Sequence, residues 1–287
     1  MARKWYEITL KPLQPLHIGS GNYGVVNPTW IYIPGWTIWG ALTAAFGIKT
    51  GLDKNKLKNE QKELFEQVSN FYPFINGNIL FPNYKKGEFC LGEYTEKKFR
   101  HLATDTFTST AINALDQSAN KNSLHEIEYL LPKTKESKPK DILWKGILNI
   151  DNEDNYYNLK SFISAGTELS IGGERSKGFG KVIIYNVKKL EEKEKWNIQD
   201  ENISLDREPS VHFVSTDDDN KSISKGEIIP YVEILSSDKN SLELSKIKMI
   251  YKPGVRAEHK NQKTLILKKG IVNLFTYLQC MMSAKKE

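Results

Sequence analysis

The feature that most limits what this chain can fold into is a glycine-rich loop at residues 172–180. The loop reads Gly-Gly-Glu-Arg-Ser-Lys-Gly-Phe-Gly, and the apolar run Val-Ile-Ile-Tyr follows it at 182–185. This order predicts a tight turn that leads directly into a buried strand. Glycine is favoured where the backbone needs positive φ or must approach another group closely. Because cations stand between the glycines, we expect that group to be an anion held by backbone N–H groups.

The spacing of the loop separates it from two common phosphate-binding motifs. Lys177 is not followed by Ser or Thr, as a Walker loop requires, and no strand–Gly-x-Gly-x-x-Gly–helix order marks a dinucleotide site. Residues 177–182 partly match the RNA-recognition-motif signature, but Lys181 and Ile184 occupy its stacking positions. We therefore expect contacts to a nucleic-acid backbone rather than base stacking here. A hairpin turn with solvated charges is the alternative interpretation.

The composition narrows the class of protein. The 287 residues suffice for one large or two medium domains, and 41 Lys and Arg oppose 35 Asp and Glu, which favours a polyanionic partner. The two cysteines, Cys90 and Cys280, form neither a metal-ligand spacing nor a disulfide framework, which predicts a reducing, cytoplasmic location. No apolar stretch is long enough to span a membrane, so we expect no membrane partner.

The hydrophobic pattern predicts alternating strands and helices. The clearest helix is residues 36–46, where Ile38, Leu42 and Phe46 share one face and Gly47 is the expected C-cap. The other predicted elements are a helix at 53–71, a helix at 155–165, and strands at 5–11, 78–81, 89–91, 124–131, 142–150, 182–185, 210–214, 227–234 and 246–251.

The order of these elements predicts an α+β fold. Up to residue 185 it is the βαββαβ order of a ferredoxin-like unit. Residues 104–122 are rich in small polar side chains, which predicts a long exposed excursion within an insertion at about 95–140. A highly charged segment begins at Lys188, so we place a boundary there. The predicted domains are a core at 1–188 and a β-rich, basic C-terminal region at 189–287.

Several residues are candidates for chemistry. His17 lies beside a second glycine-rich turn at 19–24, and with His101 it would support RNA cleavage without metal if the two met beside a phosphate. Asp105 and Asp116 are loop carboxylates that could hold a divalent metal, although such residues more often belong to turns. Residues 246–269 form the densest basic patch, with an edge hairpin kept soluble by lysines as the alternative. We assign no catalytic residue, metal or cofactor.

Three stretches together resemble the RAMP (repeat-associated mysterious protein) superfamily of CRISPR–Cas systems. The first is the N-terminal strand running into Pro15–Gly21, and the third is the glycine loop at 172–180. The second is Ile33–Leu42, which is similar to the family's Ile-Pro-Gly-Ser-x-x-x-Gly-Ala-Leu pattern at the start of its first helix. Trp36 stands where Ser is common, which leaves no polar side chain at that position. The resemblance covers roughly residues 1–190.

The form of the loop looks most like that of subunits that cap the five-prime repeat handle of the guide RNA in type III effectors, III-D-like ones especially, or in type VII effectors. The resemblance implies a modified RNA-recognition-motif core, a thumb-like hairpin at 104–122 and no nuclease activity. It also implies CRISPR guide RNA and backbone RAMP subunits as partners, with target RNA or DNA contacted indirectly. The predicted RNA-binding residues are Gly172, Gly173, Arg175, Ser176, Lys177, Gly178, Phe179, Gly180, Lys181, His17, Ser20, Tyr23, Arg100 and His101.

Alternatives within and outside the family stay open at this point. Backbone subunits of the superfamily share the fold and often cut target RNA with a loop Asp, and other members process guide RNA without metal. A general RNA-binding protein unconnected with CRISPR is the third alternative. Phosphate contacts by Arg175, Lys177 and Lys181 are expected in each case in which the glycine loop binds RNA.

Overall fold

The chain is a mixed α+β protein, rich in sheets. The computed structural model describes residues 3–51, 63–151, 159–191, 193–199, 202–203, 210–214, 226–238, 241–255 and 267–272. Its helices are α1 (Gly35–Thr50), α2 (Glu96–Ala103) and α3 (Leu159–Phe162), with 3-10 turns at Arg175–Lys177 and Lys193–Trp196.

Short strands make up most of the remaining structure. In chain order they are β1 (Arg3–Pro12), β2 (Val26–Asn27), β3 (Tyr72–Ile75), β4 (Asn78–Ile79), β5 (Pro82–Lys85), β6 (Glu88–Leu91), β7 (Tyr94–Thr95), β8 (Thr104–Ser109), β9 (His125–Leu130), β10 (Leu143–Asp151), β11 (Glu168–Ser170), β12 (Lys181–Lys189), β13 (Ile198–Gln199), β14 (Asn202–Ile203), β15 (His212–Val214), β16 (Ile228–Tyr231), β17 (Ile234–Asp238), β18 (Ser241–Leu244), β19 (Lys248–Tyr251), β20 (Leu267–Lys268) and β21 (Ile271–Val272).

The central sheet has six strands in the order β11-β12-β1-β10-β3-β4, and its pairings are antiparallel. The N-terminal strand β1 therefore lies between the two long strands that come last in this part of the chain. Helix α1 follows β1, and α3 lies between β10 and β12 in the sequence. The two helices contact each other edge-on through Phe46 and Phe162, whose ring centroids are 5.2 Å apart.

Helix α1 confirms the predicted apolar face but not the predicted end. Ile38, Leu42 and Phe46 are all buried. The helix continues past Gly47, which is buried inside it, to Gly51, whose φ is 66° and whose N–H donates to the carbonyls of residues 47 and 48. The prediction of Gly47 as C-cap is wrong because Gly51, one turn further on, adopts the left-handed conformation that ends a helix.

Tertiary pairing overrides one other local prediction, and two elements were not predicted. Most of the helix predicted at 53–71 lies outside the described residues, but Phe71 pairs with Ile33 through two backbone hydrogen bonds, so no helix extends that far. Strand β3 follows immediately and pairs with β10 although it contains Pro73, the residue that argues against a central strand. Helix α2 was also missed; its N-cap is Thr95, whose hydroxyl accepts from Lys98 N.

The predicted excursion is a β-hairpin. Strand β8 pairs with β9 along its whole length, and β2 adds to the other edge of β9 in parallel. Residues 110–124 join the two strands, and Ile112 and Leu115 are exposed there by 65% and 95%. The exposed excursion at 104–122 and the returning strand at 124–131 are therefore confirmed.

The C-terminal region forms a five-stranded sheet, in the order β16-β19-β15-β21-β20, that packs against the start of α1. Gly35 and Gly270 allow this close approach, because a Cβ on Gly35 would lie 2.4 Å from the backbone nitrogen of Gly270. The N–H of Gly270 donates to the carbonyl of Val68 at 2.7 Å. The predicted strands at 210–214, 227–234 and 246–251 are present in shortened form. The boundary after Lys188 stays a prediction.

The described helices carry no membrane-spanning signal. None of them is long and apolar enough to cross a bilayer.

Candidate nucleic-acid interface

The glycine loop is held against the segment that contains His17. The N–H of Gly173 donates to the carbonyl of His17 at 2.9 Å, and the N–H of Gly180 donates to that of Pro15 at 2.8 Å. Gly172 has a φ of 80°, and a Cβ there would lie 2.2 Å from the His17 carbonyl oxygen. The glycine loop is therefore in direct contact with the segment that leads into the second glycine-rich turn, and glycine at 172 is required by both space and φ.

The His17 ring joins this loop to the hairpin. It is buried, and its Nδ1 donates to the carbonyl of Glu128 on β9 at 2.7 Å. A Cβ on Gly173 would stand in ordinary contact with the ring. His17 is thus a packing residue at the junction of loop and hairpin.

The loop presents its cations at the surface, each with a local partner. Arg175 is exposed, and its guanidinium donates to the carbonyls of Ser170 and Gly172 at 3.1 and 3.2 Å. Lys181 Nζ lies 3.0 Å from Glu168 in an exposed ion pair. Such exposed contacts contribute little to stability, so these cations can be redirected toward an anion at little cost.

Lys177 belongs to a small polar cluster that includes a residue the sequence did not single out. Its Nζ lies 2.9 Å from Glu174 and 3.2 Å from Nε2 of His125, on β9. The hydrogen bond from Lys177 lowers the pKa of Glu174, and the positive charge of Lys177 lowers it further. His125 was missed because it stands in a strand pattern, and its approach to the loop depends on the folding of the hairpin.

Phe179, one of the predicted RNA-binding residues, packs against the hairpin. Its ring centroid is 5.2 Å from that of Tyr129 on β9, at a tilted angle. Burial raises the pKa of Tyr129, and the carboxylate of Asp105 on the neighbouring strand raises it further. The glycine loop therefore contacts the hairpin at two points, Phe179 with Tyr129 and Lys177 with His125.

Arg100 and His101 occupy different environments on α2. The guanidinium of Arg100 contacts Glu128 and Glu96, both at 2.6 Å, and donates to the carbonyl of Thr29 at 3.0 Å. His101 is exposed, and in the described part of the chain no hydrogen bond joins it to His17. The structure thus gives Arg100 a structural ion-pair network, and metal-free cleavage by His17 and His101 stays a prediction.

Ser20 and Tyr23 lie on the second glycine-rich turn, at a large cavity. The hydroxyl of Ser20 donates to the carbonyl of Pro28 at 3.1 Å, and the Tyr23 ring is 72% exposed. Both residues and Arg100 line a cavity of about 1250 Å³ that extends to the C-terminal region. Three predicted RNA-binding residues therefore share one cavity, apart from the loop itself.

The two carboxylates that the sequence placed in loops have ordinary structural contacts, and Asp105 lies on strand β8 rather than in a loop. Asp116 accepts from the N–H and hydroxyl of Ser118 at 3.1 and 2.8 Å, and these bonds lower its pKa. Asp105 Oδ2 lies 3.4 Å from Lys135 Nζ. Within the described ranges, no three His, Cys, Asp or Glu side chains cluster in a way that could hold a metal ion.

The basic patch at 246–269 lies partly outside the described residues. In its described part, Lys252 pairs with Glu227, and Lys269 pairs with Glu233 and Glu66. Lys269 is buried, with its Nζ 3.9 Å from the centroid of Trp39. Lys269 therefore joins the C-terminal region to the core through Glu66 and Trp39, whereas the Lys252 pair lies within the C-terminal region. Lys246 and Lys248 are exposed.

The comparisons with known proteins define the class of this protein. The RAMP superfamily pattern matches residues 9–183, which is more than half of the chain. The chain belongs to the RAMP superfamily.

Two solved structures with a similar fold are chains of type III-B Cmr-beta complexes. A chain of a type III-B Cmr-beta complex bound to cognate target RNA and AMPPnP has a TM-score of 0.58 at 15% identity, over 98% of this chain and 89% of that one. A chain of Cmr-beta bound to cognate target RNA has a TM-score of 0.57 at 16% identity, over 87% and 85%. No curated protein matches the chain.

Proposed function

We propose that this chain is the guide-RNA-binding subunit of a CRISPR effector ribonucleoprotein of type III or a related type, that it caps the five-prime repeat handle, and that it acts in antiviral defence. Membership of the superfamily and the similarity to Cmr-beta chains support this proposal. Its partners are the guide RNA and backbone RAMP subunits, and it meets target RNA or DNA indirectly. The protein is non-catalytic and works in the cytoplasm.

The central sheet supports the fold on which this proposal depends. The antiparallel order β12-β1-β10-β3, with α1 and α3 in the connections, agrees with a ferredoxin-like βαββαβ core of the modified RNA-recognition-motif kind. The hairpin β8–β9, inserted between β3 and β10, corresponds to a thumb-like excursion.

One observation carries the proposal: the geometry of the glycine loop. The loop is anchored to residues 15–17 on its inner side and exposes Arg175, Ser176 and Lys177 on its outer side. In the described part of the chain, the N–H groups of Arg175 and Ser176 have no hydrogen-bond acceptor. Two exposed cations and unpaired N–H groups on one turn are suited to a phosphate of the guide backbone.

The experiment measures how the affinity for guide RNA depends on salt. Single-stranded RNA releases counterions with a slope of about 0.7 for each phosphate neutralised, so Arg175→Ala with Lys177→Ala should lower the slope of log K against log salt by about 1.4. The matched control is Lys188→Ala with Lys189→Ala, which removes the same charge from exposed positions at the far end of β12.

Each outcome distinguishes the proposal from its alternatives. An unchanged slope in the loop variant, or an equal reduction in both variants, contradicts the assignment of the loop. Cutting of repeat RNA that survives chelation and is lost in His125→Ala would instead identify a guide-processing endoribonuclease. Magnesium-dependent cutting of a guide-paired target would identify a backbone subunit.

A further inference from the structure

The cavity between the core and the C-terminal region has aromatic walls from both parts. Trp30, Tyr32, Trp36 and Phe89 line it from the core, and Tyr231 lines it from β16. Trp36 and Tyr231 contact each other across the junction, with centroids 5.2 Å apart. The volume of about 1250 Å³ exceeds what one aromatic ring requires, so a planar ligand can enter between these side chains.

The charges of the cavity are matched internally. The lining cations and their carboxylate partners are Arg100 with Glu96 and Glu128, Lys252 with Glu227, and Lys269 with Glu233 and Glu66. Nearby carboxylates also raise the pKa of Tyr84 and Tyr231 beyond the effect of burial. A phosphate would find no unpaired positive charge among the described residues that line such a site, whereas a neutral ring would gain contacts with the aromatic side chains.

The mouth of the cavity lies close to the glycine loop. Ser20, Tyr23 and Thr106 line it there. Ser20 follows His17 by three residues, a stretch that spans at most about 10 Å, and His17 is bonded to the loop through its carbonyl. An RNA strand whose phosphates contact the loop can therefore direct a base into the cavity.

Part of the site comes from residues outside the superfamily match. That match ends at residue 183, whereas Glu227, Tyr231, Lys252 and Lys269 come later in the chain. From these observations we infer that the cavity binds one unstacked base of the guide RNA, with its sugar and phosphate left outside on the turn at 19–24. The inference rests on the proposed function and adds the place where a base is held.

The test blocks the mouth without touching the loop. Thr106→Trp places a large side chain at an exposed lining position, and Thr108→Trp, two residues further along β8 and outside the cavity lining, is the matched control. Affinities are measured for short oligoadenylate, oligocytidylate and oligouridylate, and for an abasic strand of the same length. Tyr231→Leu, which removes one aromatic wall, is the second variant.

At least one base-bearing strand should bind the unmodified protein roughly 5- to 100-fold more tightly than the abasic strand, as expected for one stacked base. Thr106→Trp should remove this difference and leave both the affinity for the abasic strand and the salt slope unchanged. Thr108→Trp should retain it, and Tyr231→Leu should reduce it.

Four results would overturn the inference. A base-dependent difference that survives Thr106→Trp, or no difference at all, leaves the proposed function intact but refutes the base site. N-acetylargininamide is tested as a quencher of tryptophan fluorescence. If it quenches, if Thr106→Trp abolishes this quenching, and if RNA binding shows no dependence on bases, the cavity would be assigned to a cationic side chain of a protein partner. Failure to bind any of these strands refutes the proposed function and the inference together.

Discussion

Acidification should weaken the contact between the C-terminal region and the core through His212. This side chain is fully buried, with Nε2 2.9 Å from the hydroxyl of Tyr32 and its ring 4.8 Å from that of Trp36. Burial lowers the pKa of His212 to about 3; the Gly270 carbonyl raises it somewhat, and the charge of Lys252 lowers it. The imidazole is therefore neutral in the folded protein across the ordinary pH range.

The magnitude follows from the difference in pKa between the two states. In the unfolded chain His212 titrates near 6.5. Below that pH the unfolded state takes up a proton that the folded state refuses until about pH 3. The contribution of the neutral His212 side chain to the free energy of unfolding is thus fully present above about pH 6.5. It is lost by about 1.4 kcal/mol per pH unit as the pH falls toward about 3. Between about pH 6.5 and 4.5 the free energy of unfolding should fall by about 2 kcal/mol from this group alone.

The assay compares urea unfolding of the unmodified protein and His212→Gln by tryptophan fluorescence across this pH range. The variant lacks the imidazole bond to Tyr32, so it should be less stable at neutral pH by about 1–3 kcal/mol. The variant also lacks the titrating group. The difference in free energy of unfolding between the two proteins should therefore narrow by about 2 kcal/mol by about pH 4.5. His101→Gln, at an exposed position, should follow the unmodified protein.

A gap that stays constant between about pH 6.5 and 4.5 would refute this reasoning, because the linkage requires it to change. If His212→Gln does not fold, the imidazole signals of the unmodified protein can be titrated by NMR. A His212 signal that titrates near pH 6.5 in the folded protein would also refute the reasoning.

Two further predictions test the glycine loop and the ion pair between α2 and the hairpin. Gly172→Ala places a Cβ 2.2 Å from the His17 carbonyl oxygen. This variant should lower the free energy of unfolding by about 1–3 kcal/mol and should also lower the affinity for RNA. Gly178→Ala is the control, because this residue also has positive φ but its Cβ would lie in open space, so only backbone strain is expected. Equal losses of RNA affinity in the two variants would count against the anchoring of the loop. Arg100→Leu leaves the carboxylate of Glu128 without its partner and should cost about 1–3 kcal/mol in thermal or urea unfolding, part of which a second substitution, Glu128→Leu, should restore. No recovery in the double variant would contradict the ion-pair account.

Local patterns explain which parts of the fold were predictable. The apolar face of α1 and the strand after the glycine loop depend on periodicity within a few residues, and both appear as expected. One missed element depends on a distant partner: strand β3 contains Pro73 and pairs with β10. Two other misses are local, since α1 ends at Gly51, which has positive φ, rather than at Gly47, and α2 begins at the Thr95 cap.

The candidate site divides in the same way. Four glycines and two cations in one short run were enough to mark the loop at 172–180 as a candidate anion-binding element. The contacts of the loop join residues that are far apart in the chain. They are the hydrogen bond to His17, the contact of Lys177 with His125 and the contact of Phe179 with Tyr129. Sequence patterns carry no information on such distances, so His125 was not identified.

The sequence by itself determined the family, the class of fold and the loop that carries the proposed function, because each of these is encoded in contiguous residues. The tertiary structure alone decided which cations remain at the surface and which form internal ion pairs. Arg100, Lys252 and Lys269 look like RNA ligands in the sequence, but folding places carboxylates beside them and largely covers them. Arg175 and Lys177 stay exposed on the loop, although Lys177 also pairs with Glu174. The physical reason is that desolvation and Coulomb attraction depend on the surroundings of a charge in space, which folding creates from distant parts of the chain.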